Sequence, residues 1–356
     1  MRHLLCTTAA ALLFAPAVLA NGGAGHEWPE LDRELEALSE SMAVKTNGPR
    51  LWGYVRTNYA WSDELRNAAG QSFSGVSMDN VRLAVDGNVD RYSYRVSADM
   101  ASGTLNLLDA YANIPIGENL AGTFGQFKSP FLSSGLVEAR DVLFITRTRN
   151  GVFSSIRDAG VQVKGDYDRF HWALAAQNGA SGTADKALLT ARAMAELIGE
   201  PMPAWEGAYS AGDESRVNMA VAFQMDDAAS DSNALAVEAT AIFNRVYLHG
   251  EIVDYGDAWS FDPNFPGEQR GGTTPWTLVA SLLLPNERWE LAMRYDDYDD
   301  TVQAADFDRS VFTAGANYYV AGHDLKWQFN YAYGRNGGAD DGADANTVAV
   351  GLTLAF

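Results

Sequence analysis

A single cysteine, Cys6, occurs in 356 residues. It sits in a stretch that reads as a targeting segment: Met1-Arg2-His3 is a short basic start, residues 4–19 are mostly apolar, and Val18 and Ala20 put small residues just before Asn21. A secretory signal over residues 1–20 is therefore expected. Its cleavage leaves a chain without thiols, which excludes disulfides and a cysteine nucleophile. Basic residues are few: 26 Lys plus Arg against 46 Asp plus Glu give a net charge of −20. Such a polyanion repels phosphate backbones, so no nucleic acid partner is expected. Long apolar runs are missing too, since nowhere after residue 20 do eighteen apolar residues follow one another, which excludes a transmembrane helix. Histidine is scarce. His26, His171, His249 and His323 remain after cleavage, with no pair at metal-ligand spacing, no nucleophile motif and no glycine loop to cradle a phosphate. Neither an enzyme nor a metal or cofactor is expected, and His171 and His249 are read as ordinary wall positions.

Aromatic residues and glycine are abundant, with 16 Phe, 15 Tyr, 9 Trp and 33 Gly. Their arrangement has a period of two. From Thr347 to Phe356 every even position is large and apolar and every odd one small or polar. Leu325–Tyr333, Trp289–Tyr295, Tyr92–Met100 and Val217–Met225 follow the same rule, which is that of strands with one apolar face. Sixteen such segments can be counted: 50–61, 74–87, 91–101, 104–114, 120–128, 156–165, 169–177, 186–197, 214–225, 234–243, 246–256, 275–284, 288–297, 310–320, 324–334 and 345–356. Segment 186–197 is rich in helix formers, but a helix there would leave an odd strand number, so it is read as a strand followed by a long connection at 198–213.

In a soluble sandwich the apolar face is inside, whereas in an outer-membrane barrel it meets lipid and aromatics band both interfaces. Trp52, Trp61, Tyr92, Trp172, Trp276, Trp289, Tyr295, Tyr318 and Tyr333 lie near segment ends, as such girdles require. Ten residues at about 3.3 Å each, tilted near 40°, cover the roughly 25 Å of an outer-membrane band. Alternate connections are tight, the others longer. The expected fold is all-β: a 16-stranded antiparallel transmembrane β-barrel over residues 50–356, preceded by a periplasmic tether at 21–49. Within that tether Pro29–Ala43 reads as a short helix with Leu31, Leu35, Leu38 and Met42 on one stripe. The stripe fits a coiled-coil stub that trimerises, or an amphipathic tether that is only marginally helical by itself.

The stretches Gly125-Gln126-Phe127-Lys128-Ser129-Pro130-Phe131, Glu138-Ala139-Arg140-Asp141 and Arg157-Asp158-Ala159-Gly160-Val161-Gln162-Val163, with Gln177-Asn178-Gly179 and the terminal Phe356, resemble the phosphate-selective porin O and P family of outer-membrane proteins. The resemblance runs from Arg50 to Phe356 and is most specific between Gly125 and Gln162. It implies a homotrimeric porin whose third loop, residues 129–155, folds into the lumen, and in selective members a ladder of basic side chains for anions. Outer-membrane lipid, lipopolysaccharide and small anionic or neutral solutes are the partners it implies.

The 129–155 connection is by far the longest and has no clear secondary structure, the mark of a functional loop. Between Lys128 and Arg157 stand five basic residues, Lys128, Arg140, Arg147, Arg149 and Arg157, against the two acids Glu138 and Asp141. A basic constriction lowers the barrier for anions, and guanidinium forks suit phosphate or carboxylate. Alternatively these cations pair with lumen carboxylates and fix the loop to the wall. Alternation places Arg56, Arg82, Arg91, Arg95, Lys164, Arg192, Arg216, Arg294 and Lys326 on the lumen face. Arg56, Arg82, Arg95 and Lys164 are the wall positions of interest. Asp296, Asp297, Asp299, Asp300, Asp306, Asp308, Asp340, Asp341 and Asp344 are assigned to outer loops, as a solvated face or a divalent-cation bridge to lipopolysaccharide. The expected function is a passive channel for small hydrophilic solutes with anion preference, phosphate among them. The alternatives are a general, weakly cation-selective porin and a non-conducting structural or interaction barrel.

Overall fold

The alternating segments become strands. The computed structural model describes residues 48–66, 72–179, 187–212, 214–227, 232–257, 259, 272–300, 307–335 and 344–356. The signal segment, the 29–43 helix, Asp306, Asp340 and Asp341 lie outside the described residues. The sixteen strands are β1 (Arg50–Arg66), β2 (Ser72–Val89), β3 (Tyr92–Asp99), β4 (Asn106–Pro115), β5 (Leu120–Lys128), β6 (Arg157–Tyr167), β7 (Phe170–Gln177), β8 (Leu188–Ile198), β9 (Arg216–Asp226), β10 (Asn233–Phe243), β11 (Val246–Tyr255), β12 (Trp276–Leu283), β13 (Trp289–Asp300), β14 (Phe307–Ala321), β15 (Leu325–Arg335) and β16 (Ala345–Ala355). Each pairs antiparallel with its sequence neighbours, and β1 pairs with β16, closing the barrel. Gly53 and Phe356 exchange two backbone hydrogen bonds of 3.0 Å at that seam. Closure leaves no sheet edge, the condition for a sheet to sit in lipid.

The strand-forming alternation separates two faces. Val221, Phe223, Leu278, Leu291, Met293, Trp327 and Phe329 are exposed on the outside, while Gln224, Thr277, Glu290, Arg294, Lys326 and Gln328 are buried within. An apolar exterior around an inner wall rich in polar and charged side chains is the reverse of a soluble sandwich. Residues 188–198 are strand, as parity required, because the inward positions Leu188, Thr190 and Glu196 are buried and the outward Leu189 and Leu197 exposed.

Three tight turns share one chemistry. Asp90, Asp168 and Asn244 take φ values of 55, 53 and 55°, each followed by an arginine. Short Asp and Asn side chains tolerate the left-handed region that such turns need. Gly125 in β5 has φ +127°, and a Cβ there would lie 2.1 Å from the Ala110 carbonyl oxygen. Its cross-strand partner Gly160 is equally confined, with a Cβ falling 2.2 Å from the Ala176 oxygen.

Three expectations differ from the structure. Trp52 is not a girdle residue: it points inward, stacks on Tyr54 and donates its indole N–H to Asp86 at 2.9 Å. Arg91 sits in a turn, not on the wall, with its guanidinium over the Tyr92 ring. Asp296 is buried inside the barrel, paired with Arg294 at 2.7 Å, because β13 continues to Asp300 where a loop was expected.

Candidate functional site

The connection from β5 to β6 is not structureless. It contains the helical turns Ser133–Leu136, Ala139–Asp141 and Arg149–Ser154. The Thr148 hydroxyl caps the last of these by accepting from the Gly151 N–H at 2.9 Å. Its anchors form a nearly complete ring on inward-facing side chains. Ser133 donates to Glu238 of β10, and Ser134 and Thr148 donate to Glu251 of β11, the latter two at 2.6 Å. Arg294 of β13 donates to the Thr146 carbonyl at 2.8 Å, and Lys326 of β15 to that of Val142 at 2.7 Å. Arg56 of β1 reaches the Ile145 carbonyl at 2.6 Å, and Arg82 of β2 reaches Glu138 at 2.6 Å. Carbonyl oxygens and carboxylates accept in every case, so the strands hold the loop by charge-assisted bonds, with carboxylates on β10 and β11 and cations on β1, β2, β13 and β15.

The sequence-derived cations are thus divided between two jobs. The Lys128 ammonium donates to the carbonyls of Gly135, Leu136 and Val137 at 2.8–2.9 Å, using all three protons at the end of one helical turn. Arg147 donates to the Ser134 and Val137 carbonyls, both at 2.6 Å. Burial lowers its pKa to about 10, partly opposed by Glu206 and Glu138. Arg149 lies over the rings of Phe153 and Tyr298. Arg140 sits between Asp141 and Asp324 and over Trp52. Arg157 grips Asp109 with two donors at 2.9 and 3.3 Å. Among the described residues these five have internal partners, as in the reading that fixes loop to wall.

The loop's ring of anchors leaves one side open. Against β3–β6 lies a polar cavity of about 270 Å³, bounded by Arg95, Asp109, Lys128, Glu138 and Lys164. Arg95 is bound to Asp86 at 2.7 and 3.0 Å but stays partly exposed. Lys164 lines the cavity without an ion pair or side-chain hydrogen bond among the described residues. Burial works to raise the Glu138 carboxyl, but Lys128, Arg82, Arg157 and Arg147 outweigh it and hold it down at about 2. The lining counts three cations and two carboxylates, with Arg82 and Arg157 close behind.

A second segment enters from the short-turn end. In the connection between Ile198 and Arg216, the Glu206 N–H donates to the Asp141 carbonyl at 3.0 Å, and its carboxylate accepts from Leu143 N–H at 2.9 Å. The Ala208 N–H donates to Glu290 at 2.7 Å, and Tyr209 stacks on Tyr319 at 4.1 Å. Leu143, Phe144, Ala208, Ala211, Tyr247, Val279, Leu283 and Tyr319 form an apolar core within the lumen. The sequence reading missed this core. Its signal was there: apolar residues at the inward positions Ile242, Tyr247, Val279 and Tyr319, and Met202, Trp205 and Tyr209 in one connection.

The motif residues also explain themselves. Gln177 donates to the carbonyls of Phe127 and Asp158, and the Asp158 carboxylate accepts from the N–H groups of Ala159 and Gly179 at 2.7 Å each. They clasp the roots of the loop.

Residues 273–356 match the phosphate-selective porin O and P family. The porin match covers β12–β16 and not the Gly125–Gln162 stretch on which the sequence resemblance rested most. No curated protein matches the chain. Among solved structures it is similar to a loop L8 deletion mutant of OmpT, an outer membrane protein of Vibrio cholerae, at 14% identity and TM-score 0.61, over 88% of this chain and 100% of that one. It is similar to an anion-selective porin from Comamonas acidovorans at 16% identity and TM-score 0.61, over 87% and 100%. The outer membrane channel DcaP of Acinetobacter baumannii aligns at 15% identity and TM-score 0.56, over 86% and 97%. At these identities the likeness is one of fold.

Proposed function

We propose that the protein is an outer-membrane porin, a passive diffusion channel for small hydrophilic solutes that favours anions, and that it works as a homotrimer exported through a cleaved signal. The porin-family match and the lipid-facing apolar exterior support the channel and its location. The OmpT neighbour from Vibrio cholerae, recorded in a trimer form, supports the assembly.

The observation that carries anion preference is Lys164, an unpaired ammonium on the wall of the cavity that the loop leaves open, a cavity also lined by the partly exposed Arg95. A cation without a carboxylate partner attracts a passing anion at close range, and a low-dielectric wall strengthens its field. Arg56, Arg82, Lys128 and Arg147, whose donors hold the loop, and Arg157, bound to Asp109, contribute positive potential from behind. Inorganic phosphate is one anion of suitable size and charge.

The test is the zero-current potential of the purified protein in a planar bilayer under a KCl gradient, then with phosphate added. Anion selectivity that Lys164→Glu abolishes or reverses supports the reading. Cation selectivity indifferent to Lys164→Glu overturns it in favour of a general porin, and absence of conductance overturns the channel itself.

A further inference from the structure

A different cavity lies beside the loop's first helical turn. It has a volume of about 400 Å³ and is enclosed by the inward faces of β7–β11, by the Ser133–Leu136 turn and by residues 201–206 of the inserted connection. Its chemistry differs from that of the basic cavity. Met194, Pro201, Met202, Trp205, Ile242 and Tyr247 give it an apolar, partly aromatic wall.

Two hydrogen-bond acceptors in this wall have no partner. Glu196 is only 4% exposed, and although the Met202 backbone N–H is directed at its carboxylate, Oε2 is buried with no hydrogen bond. His171 bonds Asp166 through Nδ1 at 2.8 Å, and its buried Nε2 is left without a partner. Because a carboxylate can only accept, Nδ1 carries the proton in that bond, and Nε2 is an acceptor whenever the ring is neutral. The two groups are neighbours by register: His171 pairs with Met194 across β7 and β8, and Glu196 is the next inward residue along β8.

A buried acceptor left without a donor is unfavourable, and such groups mark places where a ligand donor is missing. The cations near Glu196 are engaged elsewhere. Arg216 donates to the Pro201 carbonyl at 2.5 Å, Arg169 reaches that of Leu197, and Arg192 is bound to Glu238 and the Phe131 carbonyl. Glu206 adds a second carboxylate to the lining.

We propose that this cavity is a binding subsite for amphipathic primary amines, compounds with an ammonium group on an aromatic or aliphatic body. The ammonium has three donors and a positive charge to offer Glu196 Oε2 and His171 Nε2. The indole of Trp205 and the thioethers of Met194 and Met202 surround the apolar body, and an indole face attracts a cation as well. A carboxylate or phosphate would meet Glu196 and Glu206 with like charge, so this subsite selects against the solutes that the Lys164 side favours. The inference goes beyond the anion-channel reading and requires only that the barrel be folded.

The experiment is isothermal calorimetry of the full-length mature protein in detergent at pH 7.5, with 2-phenylethylammonium as probe and 2-phenylethanol and phenylacetate as controls. The expected result is saturable binding of the ammonium at least tenfold tighter than of either control, weakened at least tenfold in Glu196→Gln. No binding of the ammonium, or equal binding of the alcohol, overturns the proposal. The probe series alone decides it should Glu196→Gln fail to fold, and none of these outcomes depends on conductance or on ion selectivity.

Discussion

The carboxylate of Glu206, in the connection between β8 and β9, accepts the backbone N–H of Leu143 in the third loop at 2.9 Å. Segments entering the barrel from opposite ends are thus joined in its middle. A second bond, from Glu206 N–H to the Asp141 carbonyl, makes the contact two-pointed. Glu206→Ala removes the side-chain acceptor and leaves a half-buried N–H unmade, at a cost of about 1–3 kcal/mol local to this junction. The expected outcome is a noisier open channel whose mean conductance rises by up to about twofold, while the barrel's unfolding midpoint barely moves. Single-channel recording beside urea unfolding checks both halves.

Acid acts at the same end. Burial first, then Lys326 and Arg140, hold the His323 pKa down at about 2, so the ring stays neutral among Trp205, Tyr209 and Tyr319. An ordinary histidine titrates near 6.5, so below that pH the unfolded chain takes up a proton that the folded one refuses. Stability is therefore lost as pH falls from about 6.5 towards 2, at no more than about 1.4 kcal/mol per pH unit from this group. Glu138, held at about 2 against an ordinary value near 4.3, adds a loss of the same sign below about pH 4. Urea midpoints measured from pH 7.5 to 4.5 should fall in the wild type and flatten in His323→Asn.

Much of this fold was legible because lipid outside and polar groups inside force a period of two on every strand. Strand number, order and the inward positions of Arg56, Arg82, Arg95 and Lys164 follow from that period. The period reports only which side of the sheet a residue takes. Trp52 and Asp296 went astray because an aromatic near a strand end or a carboxylate in an acidic run looks the same whether it meets headgroups, solvent or a plug. The functional side was legible as far as composition reaches, placing cations around residues 128–157. It stopped at pairing: that Arg157 closes on Asp109 while Lys164 closes on nothing depends on contacts between residues far apart in the chain.

Gly125 tests the motif that carried the sequence resemblance. Its φ of +127° and the 2.1 Å approach of a Cβ to the Ala110 oxygen leave no room for alanine without moving β4. Gly125→Ala is expected to cost several kcal/mol, because steric overlap and backbone strain add. The folded fraction, read from the heat-modifiable gel mobility of the refolded barrel, should drop by at least half. An unchanged fraction would mean that β4 and β5 part at little cost.

Lys128 and Lys164 face the same cavity, yet their replacements should be told apart by what they disturb. The Lys128 ammonium holds three carbonyls at the end of the Ser133–Leu136 turn, and Lys128→Met leaves those of Gly135 and Leu136 with no donor in a buried place, while that of Val137 keeps Arg147. Bonds to a charged donor are worth about 1.5–3 kcal/mol each, so the loss of three should free the loop. Limited proteolysis should then cut between residues 129 and 155 at least tenfold faster than in the wild type. Lys164→Met removes a charge that holds nothing: the loop should resist protease as before, and the zero-current potential should shift towards cations. If the two variants shifted the potential equally with the loop intact in both, Lys128 would be acting on the solute and not on the loop.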